Sequence, residues 1–194
     1  MNIFYLDKDP IVAAQMSCDK HVCKMIIESA QMLSTAHRMI DGTQYTGKTK
    51  KGRNIKRWLH PNSNLEETLY LACHTGHPST LWVMASAYHY NWLYKHMIEL
   101  HNQWQLRYGH MHDHKTIQLL GDILKYPPNK IPLNKIATEP TPAMPDYCKI
   151  PGDSIASYRK YYVFEKQRFA TWKSPASVPD WYLDGVDKYQ SYNH

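Results

Sequence analysis

The chain has only 3 Phe, against 15 Tyr and 6 Trp, and only 4 Cys in 194 residues. Cys18, Cys23, Cys73 and Cys148 form no CxxC pair, so no zinc-finger or dithiol redox motif is available, and reduced thiols in a cytosol are expected. No apolar run approaches the length of a membrane span, and no charged-then-apolar leader opens the chain. We therefore expect a soluble, cytoplasmic protein with no membrane partner. Internal repeats and helix-turn-helix or RRM signatures are also missing. So is any strong apolar–polar alternation of the kind a half-buried strand requires. The expected fold is all-α: a small helical bundle with long basic and Pro-rich loops. Residues 1–174 would form a single domain and residues 175–194 an irregular tail.

What is present fits a folded protein with an affinity for anions. Hydrophobic residues make up 43% of the chain and charged residues 21%, an ordinary globular balance. Lys and Arg exceed Asp and Glu by 23 to 17, giving a formal charge of +6. That excess is compatible with a polyanionic partner. Tyr and Trp join a flat stacking surface to a polar edge, which suits nucleobases and wet interfaces alike.

Helical signals dominate. Asp9-Pro10 reads as an N-cap followed by Pro at the first helical position. A helix from there, broken near Ser17–Asp19, would run through Arg38 and end at Asp41-Gly42. Val22, Ile26, Ala30, Leu33 and Ala36 form its apolar face, while His21, Lys24, Glu28, Gln31, Thr35 and Arg38 line up along another side. Ser63 and Glu66 have the spacing of a capping box, with a helix expected over Leu65, Leu69 and Ala72. Ser79 is a candidate cap for a long helix over Leu81–Arg107, closed by Tyr108-Gly109. Another helix is expected over His114–Tyr126. Residues 127–152 hold seven prolines and read as a loop. Asp153 should cap a last helix running to Trp172.

Residues 41–62 read as a mobile basic loop, with Lys48, Lys50, Lys51, Arg53, Lys56 and Arg57 close together. Such cations can bind phosphates without regard to sequence. Residues 42–49 also match GxxxxGK[ST], the letters of a phosphate-binding loop. That loop needs a buried strand before it and a helix after it, and neither is expected here. His110, His112 and His114 alternate, but no further ligand at a suitable spacing completes a metal set. No metal or cofactor is expected.

Asp19-Lys20-His21, six residues, then Glu28, on a helix close behind a short apolar N-terminal segment, resembles the pyrimidine-dimer DNA glycosylase family, the phage endonuclease V type. His77-Pro78 through Arg107-Tyr108-Gly109 and the aromatic Trp181-Tyr182 are similar in order. The resemblance implies a DNA-acting N-glycosylase and AP lyase whose nucleophile is the N-terminal α-amine. Asn2 is large enough for Met1 to be retained, so that amine would belong to Met1. The implied catalytic residues are Met1, His21 and Glu28. Candidate substrate-binding residues are Lys24, Gln31, Arg38, Lys48, Lys51, Arg53, Arg57, His77 and His89, with DNA as partner. The family carries Arg on either side of its Glu; here those positions are Ile27 and Gln31. Two other readings stay open: a non-catalytic basic module that binds nucleic acid or a nucleotide, and a nucleotide-binding loop at 42–49.

Overall fold

The computed structural model describes residues 1–133 and 136–192. Asn134 and Lys135 of the expected loop, and Asn193 and His194 of the expected tail, lie outside the described residues. Among the described residues, eight α-helices and one two-stranded antiparallel sheet follow in the order α1 (Pro10–Gln15), α2 (Asp19–Asp41), β1 (Thr43–Lys48), β2 (Asn54–Leu59), α3 (Ser63–Thr68), α4 (Pro78–Ala85), α5 (Ala87–Tyr108), α6 (Lys115–Leu124), α7 (Ser154–Tyr161) and α8 (Asp180–Tyr192). The molecule is mostly helical, but the hairpin means that it is not purely α.

Helix α2 is the axis of the fold. It packs on α5, α4 and α6, and α1 lies against α5. Fourteen of its 23 residues are buried, far more than one apolar stripe would account for. Val22, Ile26, Ala30 and Leu33 meet Leu93, Met97 and Leu100 in one core, together with Ile3 and Leu6 of the N-terminal segment. Burying a Leu or Ile side chain fully contributes roughly 1.5–3 kcal/mol, so the first six residues are anchored core rather than a loose end.

The helix starts follow local chemistry. Asp9 accepts the Ile11 amide at 2.8 Å ahead of Pro10, as expected. Asp153 does the same for Ala156 at 2.8 Å. Gly109 closes α5 at φ +68, where a side chain would be strained. Three expectations need correction. Asn62, not Ser63, caps α3 by accepting the Leu65 amide, Glu66 bonds elsewhere, and the helix stops at Thr68, where Leu69 turns extended. His77 rather than Ser79 caps α4, its Nδ1 accepting the Ser79 amide at 3.2 Å. The single helix expected from Leu81 to Arg107 is two, because Ser86 is extended and the Ala87 amide leaves the helix to bond Pro132 O at 2.9 Å.

Residues 43–59 correct the expected loop. Thr43–Lys48 pairs with Asn54–Leu59, with Thr43 opposite Leu59 and Lys48 opposite Asn54. The GxxxxGK[ST] letters therefore lie along an extended strand that leads into another strand, not into a helix. The helix expected to reach Trp172 passes at Tyr162 into one wider π-turn over Tyr162–Lys166. The C-terminal segment, expected to be irregular, forms α8. No disulfide joins the four cysteines. No helix of the described residues is long and apolar enough to cross a membrane.

Candidate functional site at the amino terminus

Asn2 straps the start of the chain in place. Its Nδ2 donates to Ala143 O at 2.9 Å, and its Oδ1 accepts the Ile3 amide at 2.8 Å. Phe4, next but one, has φ +54. For a bulky residue that conformation costs on the order of 1–3 kcal/mol. Packing holds it there, since the Phe4 ring stacks on His21 with centroids 3.9 Å apart. The resulting turn brings the first backbone atoms onto α2. The Met1 α-nitrogen lies 3.7 Å from Glu28 Oε2, and the Asn2 amide donates to the same oxygen at 3.2 Å. Lys24, one turn earlier, places Nζ 3.0 Å from Glu28 Oε1. The Glu28 side chain retains 14% of its exposure and that of Lys24 61%, so the acid is largely sheltered and its lysine partner is wet. The Met1 side chain is covered and its sulfur accepts the Thr80 hydroxyl at 3.7 Å.

The turn between α3 and α4 supplies the other wall. Burial lowers the His77 pKa, and the N-terminal ammonium and His74 push it further down, while Glu28 opposes them. Burial raises the Cys73 thiol, and the same ammonium and carboxylate act on it in opposite directions. Cys73 is fixed by Thr35 of α2, whose Oγ1 donates to Cys73 O at 3.3 Å and accepts its amide at 3.2 Å. His74 is the second non-glycine residue at positive φ, +49, among the described residues. Both strained residues thus lie in segments that frame the amine and the acid.

Of the expected catalytic residues, the fold brings Met1 and Glu28 together and sends His21 elsewhere. His21 is buried between Phe4 and Phe169, with Nδ1 bonded to the Tyr162 hydroxyl. Burial, helped by nearby lysines, lowers its pKa to about 3, so it is a neutral core ring. Asp19, first of the Asp19-Lys20-His21 triplet, is also structural. It accepts from Arg107 Nη1 at 3.1 Å, from Thr171 Oγ1 at 3.0 Å and from the Lys173 amide at 3.0 Å, tying the C-terminal region to α2.

The expected substrate-binding residues divide in the same way. Lys24 and His77 are at the site, and Gln31 is half buried one turn beyond Glu28. Arg38 is not a phosphate ligand. All five guanidinium hydrogens are taken, by Tyr70 O, Trp58 O, Leu69 O, Glu66 O and the Glu66 carboxylate. His89 stacks on Trp82 with centroids 4.3 Å apart, and its Nε2 accepts the Thr138 amide at 3.0 Å, so it too is a core residue. Lys48, Lys51 and Arg53 are exposed on the hairpin and Arg57 is half buried there. The hairpin begins past the end of α2, so thirteen helical residues, roughly 20 Å at about 1.5 Å each, separate it from Glu28.

Asn2, Cys73 and His74 belong to the site without being expected there. Asn2 carries no sequence signal beyond its place next to Met1; Cys73 and His74 sit beside a Gly–Pro turn whose letters signal only a connection. His110 stacks on Trp104 at 3.8 Å and His114 caps α6, so two of the three alternating histidines have plain structural partners. Comparison with known protein families, with curated proteins and with solved structures finds no match.

Proposed function

We propose that this chain is an N-terminal-amine lyase acting on DNA, of the glycosylase/AP-lyase type. One observation carries the reading: the Met1 amine and the Glu28 carboxylate sit 3.7 Å apart, reached only through a strained and strapped turn. An α-amine in its neutral form is a nucleophile. Its lone pair would attack C1′ of a damaged nucleoside and expel the base, or attack the aldehyde of an abasic site and lose water. Glu28 accepts the proton that the attacking nitrogen gives up and can pass it to the leaving group; after base displacement the C1′–O4′ bond opens as the second nitrogen proton is lost and O4′ takes up a proton, whereas the abasic aldehyde loses water, and either route ends in an imine between Met1 and the sugar. The imine then acidifies the adjacent C2′ proton and permits β-elimination of the 3′-phosphate. Lys24 Nζ, 3.0 Å from Oε1, holds the Glu28 carboxylate in place. The supporting features are the amine–acid pair, its partial shelter and the resemblance of the Asp19–Glu28 spacing.

Borohydride trapping on an oligonucleotide with one abasic site tests this reading. Wild type should give a covalent adduct, whereas Glu28→Gln and a chain extended by two residues before Met1 should lose at least tenfold in trapping rate. Unchanged trapping by both variants would overturn it. The reading requires a chain that starts at Met1, which the intact mass of the purified protein checks.

The exposed hairpin supports a second reading, a nucleic-acid-backbone binder without turnover. It predicts DNA binding that weakens steeply with salt and is indifferent to Glu28→Gln.

A further inference from the structure

At the other end of α2, far from the amine, lies a second cluster that the lyase reading does not use. His37 and Asp41 stand one turn apart on α2, and the chain leaving β2 brings His60 against them. All three are at least nine-tenths buried, with exposures of 4%, 6% and 4%. One potential donor atom from each lies within 4.8 Å of those of the other two.

Each ring has one nitrogen committed and one without a partner. His37 Nε2 meets the Tyr90 hydroxyl at 3.0 Å and Tyr126 O at 3.1 Å, while its Nδ1 has no hydrogen-bond partner. His60 Nδ1 accepts the Asn62 amide at 3.1 Å, while its Nε2 has none. Asp41 accepts the Asn129 and Lys130 amides, at 2.8 and 3.0 Å, one on each oxygen, which leaves lone pairs on both. Buried polar nitrogens are rarely left unmatched, and two in one cluster beside a carboxylate ask for a shared partner. The outer contacts are those a ligand set needs. Tyr126 O fixes the His37 ring, and Glu66 Oε2 fixes the His60 backbone by accepting its amide at 2.7 Å. The nearby Arg38 charge is matched by Glu66.

We propose that His37, Asp41 and His60 bind one zinc-class divalent cation, which clips the hairpin and the 129–130 segment to the end of α2. Two imidazoles and a carboxylate suit zinc, with water completing four-coordination. Ligation through His60 Nε2 shifts that ring's proton to Nδ1 and deprives the Asn62 amide of its acceptor. The Asn62 amide therefore serves as a local reporter.

The test uses the full chain, stripped with EDTA, dialysed and titrated with zinc chloride or cobalt chloride. A His110→Gln/His112→Gln background removes surface imidazoles. The expected result is one equivalent of retained zinc by elemental mass spectrometry, a shifted Asn62 amide resonance, and a melting temperature raised by zinc. His60→Gln and Asp41→Asn, each checked for native circular dichroism, should weaken retention at least tenfold and abolish the zinc-dependent rise in melting temperature. If either variant fails to fold, the other and the Asn62 shift carry the test. No retained equivalent at micromolar zinc would mean that a buried water joins the three side chains, and would overturn the proposal. Equal retention by His60→Gln would overturn it as well.

Discussion

At the scale of single residues, the buried cations are the fold's most exposed liabilities. Arg38 makes its five hydrogen bonds with almost no solvent contact, so its removal strands four carbonyls and a carboxylate. Arg38→Met should cost about 3–5 kcal/mol, the range for breaking one side of a buried pair. Arg38→Lys, with three donors instead of five, should recover only part of that, as read from denaturant unfolding. The buried histidines predict an acid limit. Burial lowers His21 and His96 from about 6.5 to about 3 in the folded state. Between those values the unfolded chain binds protons that the folded chain refuses, so stability is full above about pH 6.5 and falls as pH drops toward 3. Each ring contributes a slope of up to about 1.4 kcal/mol per pH unit. His21→Phe, which keeps the stack on Phe4, should flatten the stability–pH profile between pH 4 and 6 by about one proton. These roles are hidden in the sequence. His21, Thr35 and Arg38 share a stripe with Lys24 and Glu28, and the spacing of a stripe cannot tell which of its members a neighbouring helix will cover.

At the scale of elements, helices are legible wherever a cap announces them. Asp9-Pro10, Asp153 and Gly109 each do locally what their chemistry dictates. The hairpin is not legible, because it lacks the alternating apolar face that marks most strands. Trp58 is its only buried residue, and its stability comes from pairing and from that anchor. The break at Ser86 is equally silent, since it depends on a carbonyl more than forty residues away, Pro132 O. The hairpin also carries the clearest electrostatic prediction. Its six cations, Lys48 to Arg57, lie on a ribbon whose base joins α2 roughly 20 Å along the helix from Glu28. If it grips DNA, Lys50→Gln/Lys51→Gln/Arg53→Gln should lower the slope of log affinity against log salt by about 0.9 for each phosphate no longer neutralised. The same triple variant should leave single-turnover trapping at saturating DNA unchanged, because it touches neither the amine nor the acid.

At the scale of the whole molecule, the chain's beginning closes onto its middle. The first six residues are core, Asn2 reaches across to Ala143, and the end of that strap lies on α2 beside Glu28. Spacing and resemblance alone point to a meeting of Met1 and Glu28, whereas the strap that brings it about depends on contacts no local pattern encodes. Asn2→Ala should therefore reduce trapping severalfold while leaving the amine chemically intact, and should cost about 1–2 kcal/mol of stability through its broken hydrogen bonds. Among the described residues, Lys24 is the one other amine on Glu28, which makes the point of attachment decisive. Borohydride-trapped abasic DNA, digested with trypsin and nuclease and sequenced by tandem mass spectrometry, locates it. The account predicts the reduced sugar on the α-nitrogen of Met1, in the peptide ending at Lys8. An adduct on Lys24, or none at all, would contradict it.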